Sequence, residues 1–193
     1  MSGFSKGMIA AVLGAAAQAA TAGVVWSGNG HEYEVVLAEG ITWTDARAAA
    51  LALGGGWDLA TVTSTQEDAF VISLLPINPA DRSHFWIGAS DAASEGSFVW
   101  VSGEPFSYTN WQSGEPNNSG NEDFLAYDYR GVRQSWAWND APDNLGQVYG
   151  FARGYVIERA AQGAVPVSGT LPLMGLGLVL AGAAARRRAR KAA

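Results

Sequence analysis

Between residues 115 and 140 the chain gathers oxygen ligands: Glu115-Pro116-Asn117-Asn118, then Glu122-Asp123, then Trp138-Asn139-Asp140. Carboxylates and side-chain amides set this closely, with no Cys or His among them, suit a hard cation. Calcium takes about six to eight oxygen ligands at flexible geometry, whereas zinc prefers sulfur or imidazole. A cis bond at Pro116 would turn the two flanking ligands toward one point, and cis bonds are nearly confined to proline. Taken alone, residues 114–120 also read as a polar surface turn, because Gly, Pro, Asn and Ser all form turns. Two neighbouring segments weigh against the plain turn. The Trp-rich run at residues 135–138 reads as a strand that delivers Asn139 and Asp140, and Asp91 and Glu95 sit upstream in another Gly/Ser-rich loop.

The elements that must position these residues follow from patterning. Residues 31–38 alternate as a first strand. Residues 42–53 read as a helix capped by Thr42 or Thr44 and stopped by Gly54, and residues 66–75 as a second, capped by Ser64 or Thr65 and ended by Pro76. Short strands are expected at residues 85–89, 98–101, 124–129, 136–138 and 155–158. Two helices followed by strands indicate an α+β domain. The irregular stretch from about Ser90 to Asn121 holds most of the ligands, and loops longer than about 12–15 residues are uncommon unless functional.

These motifs, in this order, resemble the C-type lectin-like domains. The Glu-Pro-Asn triplet, the Glu-Asp pair and the Trp-Asn-Asp triplet stand at spacings typical of that family, and Phe85-Trp86-Ile87-Gly88 resembles its core strand. Residues 41–47 and 54–62 are similar to its first helix and the turn and strand after it, so the likeness spans about residues 31–159. It implies a fold of two helices packed on small antiparallel sheets with a long calcium-binding loop. It also implies that Glu115, Asn117, Glu122, Asn139 and Asp140 form a principal site for calcium and sugar. Asp91, Glu95, Asn118 and Asp123 match an auxiliary calcium site, with Glu122 shared. The Glu-Pro-Asn version goes with mannose-type sugars. Family members usually carry two disulfides, and this chain has no Cys. By motif, those cysteines fall at Ala50 with Ile157, an apolar contact between helix and last strand, and at Phe124 with Asp143, which offer no obvious contact. Losing a disulfide typically costs about 2–5 kcal/mol, so calcium is expected to carry more of the stability.

All 18 acidic residues lie between Glu32 and Glu158, whereas half of the 12 basic residues lie in the tails. Six basic against 18 acidic residues give the central domain a net charge near −12, which argues against nucleic acid as a partner and suits divalent cations. Residues 1–22 read as a secretory signal, with Lys6, an apolar run and small-residue cleavage sites at residues 17–22. The domain follows at residues 23–159, then a small-residue linker at 160–167. Residues 168–193 hold an apolar run closed by Arg186-Arg187-Arg188-Ala189-Arg190-Lys191, which would stay cytoplasmic if residues 168–185 met a membrane. This layout resembles the PEP-CTERM signals of Gram-negative bacteria, with only Pro166 of the Pro-Glu-Pro core. It implies an exosortase as sorting partner and delivery to the envelope or an exopolysaccharide matrix; a plain tail anchor is the alternative.

Catalysis finds little support, since the chain has no Cys nucleophile, no Gly-x-Ser-x-Gly elbow and no phosphate-binding glycine loop. A binding protein is expected, not an enzyme. The rival reading is a structural or protein-binding module of the matrix in which calcium only braces the loop. Trp43, Trp57, Trp86 and Trp100 read as core, and Trp138 as an anchor for Asn139 and Asp140. His31 and His84 read as incidental, and Asp45 and Glu67 as solvated helix faces.

Overall fold

A computed structural model describes residues 23–76, 83–131, 134–145 and 151–161. The expected signal at 1–22 and the apolar segment and basic tail at 168–193 lie outside the described residues. In chain order the elements are β1 (Val24–Val25), β2 (His31–Leu37), α1 (Trp43–Ala52), β3 (Asp58–Leu59), α2 (Thr65–Leu74) and β4 (Ser83–Ser90). There follow β5 (Val99–Trp100), β6 (Phe124–Arg130), β7 (Ser135–Ala141) and β8 (Phe151–Ala160).

Both helices start where a hydroxyl can cap them. Thr42 Oγ1 accepts from the Asp45 amide at 3.0 Å, and Ser64 Oγ accepts from the Glu67 amide at 3.2 Å. Helix α1 runs out at Leu53, just before Gly54 with φ +66°, and α2 ends at Leu75, held extended ahead of Pro76.

The expected α+β class with two helices holds, but the strands differ from the small antiparallel sheets expected. They join in one connected mixed sheet of order β1-β2-β8-β4-β6-β7, with β3 on β8 and β5 on β4. The last strand enters between β2 and β4, antiparallel to β2 and parallel to β4. Both faces of this sheet are buried, so alternate residues supply two cores. Phe85, Ile87, Leu125, Tyr127 and Val156 face α2 and the long loop, whereas Trp86, Ala126, Tyr155 and Ile157 face α1. The first core includes Trp100 and Trp138, and the second Trp43, Trp57 and Trp86.

The two cysteine-free positions are closed by packing. Ala50 and Ile157 are fully buried in the same core. Phe124 and Asp143, expected to lack a contact, are both tied to the start of α1. The Phe124 ring lies 4.7 Å from the Trp43 ring, the Asp143 carbonyl accepts from the Trp43 amide at 3.3 Å, and Asp143 Oδ1 accepts from the Thr44 amide at 2.8 Å.

Two further expectations are corrected. Glu67 is not on a solvated face: it is 3% exposed and accepts from Tyr33 Oη, Asn29 Nδ2, the Thr63 amide and Thr63 Oγ1. Its place in the first turn of α2 puts a carboxylate at the positive end of the helix, where negative charge is favoured. Asp45 is exposed as expected. His84 is not incidental either. It is 1% exposed, with Nε2 3.3 Å from Asp128 Oδ1, and Asp128 also pairs with Arg130. His31 Nδ1 lies 3.7 Å from Glu158 Oε2.

Candidate functional site

The stretch from Asp91 to Asp123 carries little regular structure of its own and is held by aromatic packing. Phe98, Phe106 and Trp111 pack on one another, and Phe106, Tyr108 and Trp111 all meet the ring of Trp138, which has no exposed surface. Trp111 is spent on this cluster. Backbone bonds add register: the Trp138 amide donates to the Asn110 carbonyl at 2.7 Å, and the Gln112 amide donates to the Trp138 carbonyl at 2.8 Å. Gln112 Nε2 donates to the Asp128 carbonyl at 3.1 Å. The loop therefore runs beside β7 at the residue before Asn139 and Asp140.

From Gln112 the chain turns, with the Glu115 amide on the Gln112 carbonyl at 3.0 Å. The Glu115-Pro116 bond is cis, as the sequence suggests. After it the backbone amides of Asn117 and Asn118 converge on the Asp140 carboxylate, at 3.0 and 2.7 Å to Oδ2. Asn117 Nδ2 donates to Glu115 Oε2. The turn back to β6 passes through left-handed backbone at Asn118 (φ 46°) and Asn121 (φ 77°), a region that Asn tolerates better than most residues. Within it the Ser119 amide donates to Glu122 Oε2 and the Glu122 amide to Asn118 Oδ1, each at 2.8 Å. Antiparallel pairing sets Asn139 against Ala126 and Asp140 against Leu125. The Asn139 side chain is buried and donates to the Asp140 carbonyl.

Glu115, Asn117, Glu122 and Asp140 are thus brought near one another, and Asn139 precedes Asp140 on β7. The second set lies next to it. Asp91 Oδ2 accepts from the Gly96 amide at 2.8 Å, the Asp91 amide donates to the Asp123 carbonyl at 3.1 Å, and Asn121 Nδ2 donates to Asp123 Oδ2 at 2.7 Å. Glu95 is exposed beside them. Asn118, matched to this second set by the resemblance, uses its side-chain oxygen on the Glu122 amide.

The charges are crowded. Burial pushes the Glu122 carboxyl up to about 7, with Asp140 and Glu115 adding to the rise and the Ser119 amide and Arg130 opposing it. Glu115 is raised by desolvation and by Asp140, against Arg130 and Asn117. Asp91 is raised by burial and by the charges of Asp123 and Asp140, against the Gly96 amide. A cation joining the cluster would favour the ionised carboxylates. Among the described residues no three His, Cys, Asp or Glu groups alone meet at metal-binding spacing. Asp140 and Glu122 are turned in part to loop amides, and the Asn117 side-chain oxygen accepts from the Ser119 amide at 2.8 Å. One observation supports the fit. Asp91 Oδ1 is buried with no hydrogen-bond partner, and a buried anionic oxygen of that kind is costly unless something meets it. An all-oxygen donor set of carboxylates and amides matches calcium.

Sequence reasoning missed Asp68, Gln112 and Arg130. Asp68 had a signal: with Val71 and Leu75 it forms the i, i+3, i+7 stripe that faces the core. Arg130 had none, since its influence on Glu115 and Glu122 depends on the hairpin.

A family model, the lectin C-type domain, matches residues 39–149. Salivary C-type lectin 2 of Aedes albopictus is 35% identical over 105 residues, 51% of this chain and 68% of that one. Lectin BRA-3 of Megabalanus rosa is 35% identical over 116 residues, 60% of this chain and 68% of its own. Among solved structures, the C-type lectin CEL-I from Cucumaria echinata is similar with a TM-score of 0.56 and 27% identity, over 67% of this chain and 89% of that one.

Proposed function

The chain belongs to the C-type lectin domain family, and from that premise we propose that it binds carbohydrate through calcium and selects mannose-type sugars. The observation that carries this reading is the convergence just described. The bonds that set Glu115 and Asn117 beside Asp140, through the Asn117 and Asn118 amides, support this reading.

Glu115, Asn117, Glu122, Asn139 and Asp140 would hold the ion. Bound there, calcium supplies coordination positions that two vicinal sugar hydroxyls can take. The side chains do the rest. Each hydroxyl would donate a hydrogen bond to a Glu or Asp oxygen and accept one from an Asn amide N–H, because Asn offers donor and acceptor together. Selectivity then follows from hydroxyl stereochemistry, since one arrangement satisfies the ion and both side-chain pairs. Asp91, Glu95, Asn118 and Asp123 would hold a second ion that orders the loop. Affinity for calcium belongs in the extracellular range of roughly 0.1–1 mM.

Membership of a lectin family supports binding rather than catalysis as the function. A shallow sugar site is weak singly, and display of many copies on a surface would multiply it. The tail pattern supports an envelope or exopolysaccharide-matrix location in a Gram-negative bacterium, reached through an exosortase or held in a membrane by residues 168–185. No helix among the described residues is long and apolar enough to cross a membrane.

The test is a glycan array with the chain displayed multivalently, in millimolar calcium and again in EDTA. Signal on mannose-type glycans that disappears in EDTA is expected. A folded, calcium-loaded protein with no signal on any glycan would sink the lectin reading and favour a calcium-braced protein-binding module.

A further inference from the structure

We propose that Asp68 is a positioning residue for the binding site, one buried carboxylate that fixes both the strand bearing Asn139 and Asp140 and the loop bearing Glu115 and Asn117. The inference rests on the reading of that site given above.

Asp68 lies in the first turn of α2 and is 4% exposed. Four donors meet its two oxygens. Tyr127 Oη on β6 donates to Oδ1 at 2.6 Å, Trp138 Nε1 on β7 to Oδ1 at 3.1 Å, and Asn110 Nδ2 on the loop to Oδ2 at 2.8 Å. Tyr108 Oη, also on the loop, is the fourth. The same Trp138 exchanges backbone bonds with Asn110 and Gln112. Asp68 therefore clamps the point where loop and strand run side by side, immediately before Asn139 and two residues ahead of the turn into Glu115. It touches none of the ligand residues, so its effect is through Trp138 and Asn110. Asparagine at this place keeps the volume but presents an N–H₂ to donors, leaving two of the four without an acceptor.

The experiment compares wild type, D68N, N110A and Y127F in the full chain. Y127F is the control: it removes a bond to the same carboxylate from β6, away from the loop. Amide exchange in EDTA is read at Gln112, Glu115 and Trp138 against Tyr155 and Ile157 of the sheet, and calcium affinity by calorimetry. D68N is expected to speed exchange at the three site amides at least about 10-fold with the sheet amides little changed, and to weaken calcium binding about 10-fold, as loss of a supporting hydrogen bond does at metal sites. N110A should act in the same direction by less, and serves alone if D68N does not fold. Y127F should lower the melting temperature and leave calcium affinity within about twofold. Uniform acceleration of all amides by D68N and N110A, or equal loss of calcium affinity in Y127F, would overturn the proposal. Wild-type protein that binds no calcium, with the localised exchange still seen, would remove the lectin reading and keep the positioning role.

Discussion

Removing one charge from the acidic cluster should make the calcium-free protein more stable, and E122Q is the sharpest form of that test. Glu122 is 2% exposed and its carboxyl is pushed up to about 7 from an ordinary 4.5. A carboxyl raised in the folded state binds its proton more tightly there than in the unfolded chain. Its contribution to stability is greatest below about 4.5 and is lost as pH rises through about 7. At roughly 1.4 kcal/mol per pKa unit, the full shift would correspond to about 3.4 kcal/mol at pH 8. The open rim of the site screens part of that, so about 1–2 kcal/mol is expected. For a domain of this size that is a rise of about 3–8 °C in melting temperature. Thermal melts in EDTA at pH 4 and pH 8 read it: E122Q should exceed wild type at pH 8 and match it at pH 4. Excess calcium should reverse the order. At 10 mM ion and an affinity of roughly 0.1–1 mM, wild type gains about 1.4–2.7 kcal/mol by mass action, and E122Q, lacking a ligand, gains less. An E122Q protein that melts below wild type at pH 8 in EDTA would refute the view of Glu122 as a charge held against its preference.

Two other substitutions test the frame rather than the site. W43A removes the ring against Phe124 and the indole N–H that donates to the Ile87 carbonyl at 2.8 Å; it should cost about 3–5 kcal/mol, equally in calcium and in EDTA, by urea denaturation. G154A places a methyl 1.9 Å from the Val36 carbonyl oxygen, where β8 crosses β2. It should cost about 3 kcal/mol or more, read as a fall in urea midpoint, and a variant as stable as wild type would show that the strands are not so closely apposed.

The parts legible in the sequence were those whose cause is local. Thr42, Gly54, Ser64 and Pro76 mark both helices to within a residue, because capping and chain-breaking act over one turn. The turn that sets Glu115 and Asn117 beside Asp140 was legible because carboxylates, amides and a proline at one turn are an unusual set. The mixed sheet was not, since the parallel pairing of β8 with β4 joins residues far apart and leaves no trace in alternation. Glu67, Asp68 and His84 were misjudged or missed for a related reason: polarity in a sequence reads as solvent. Each is buried here because several donors or an opposite charge from distant elements meet it.

Where the stability lies also bears on what calcium does. Without cysteines the ion is expected to carry more of the stability, and both positions are also closed by packing. Ala50 and Ile157 close the first position in a dry core, and at the second Trp43 and Thr44 hold both Phe124 and Asp143. Those contacts lie in the α1 core, whereas the acidic cluster is carried by the loop that packs on Trp138. A cation at the cluster would therefore act on the loop, offsetting repulsion among Glu115, Glu122 and Asp140. The core keeps its own contacts whether or not that charge is neutralised. Aromatic packing on Trp138 and the bonds to Asp68 set the loop's place, and the acidic residues contribute charge there rather than packing.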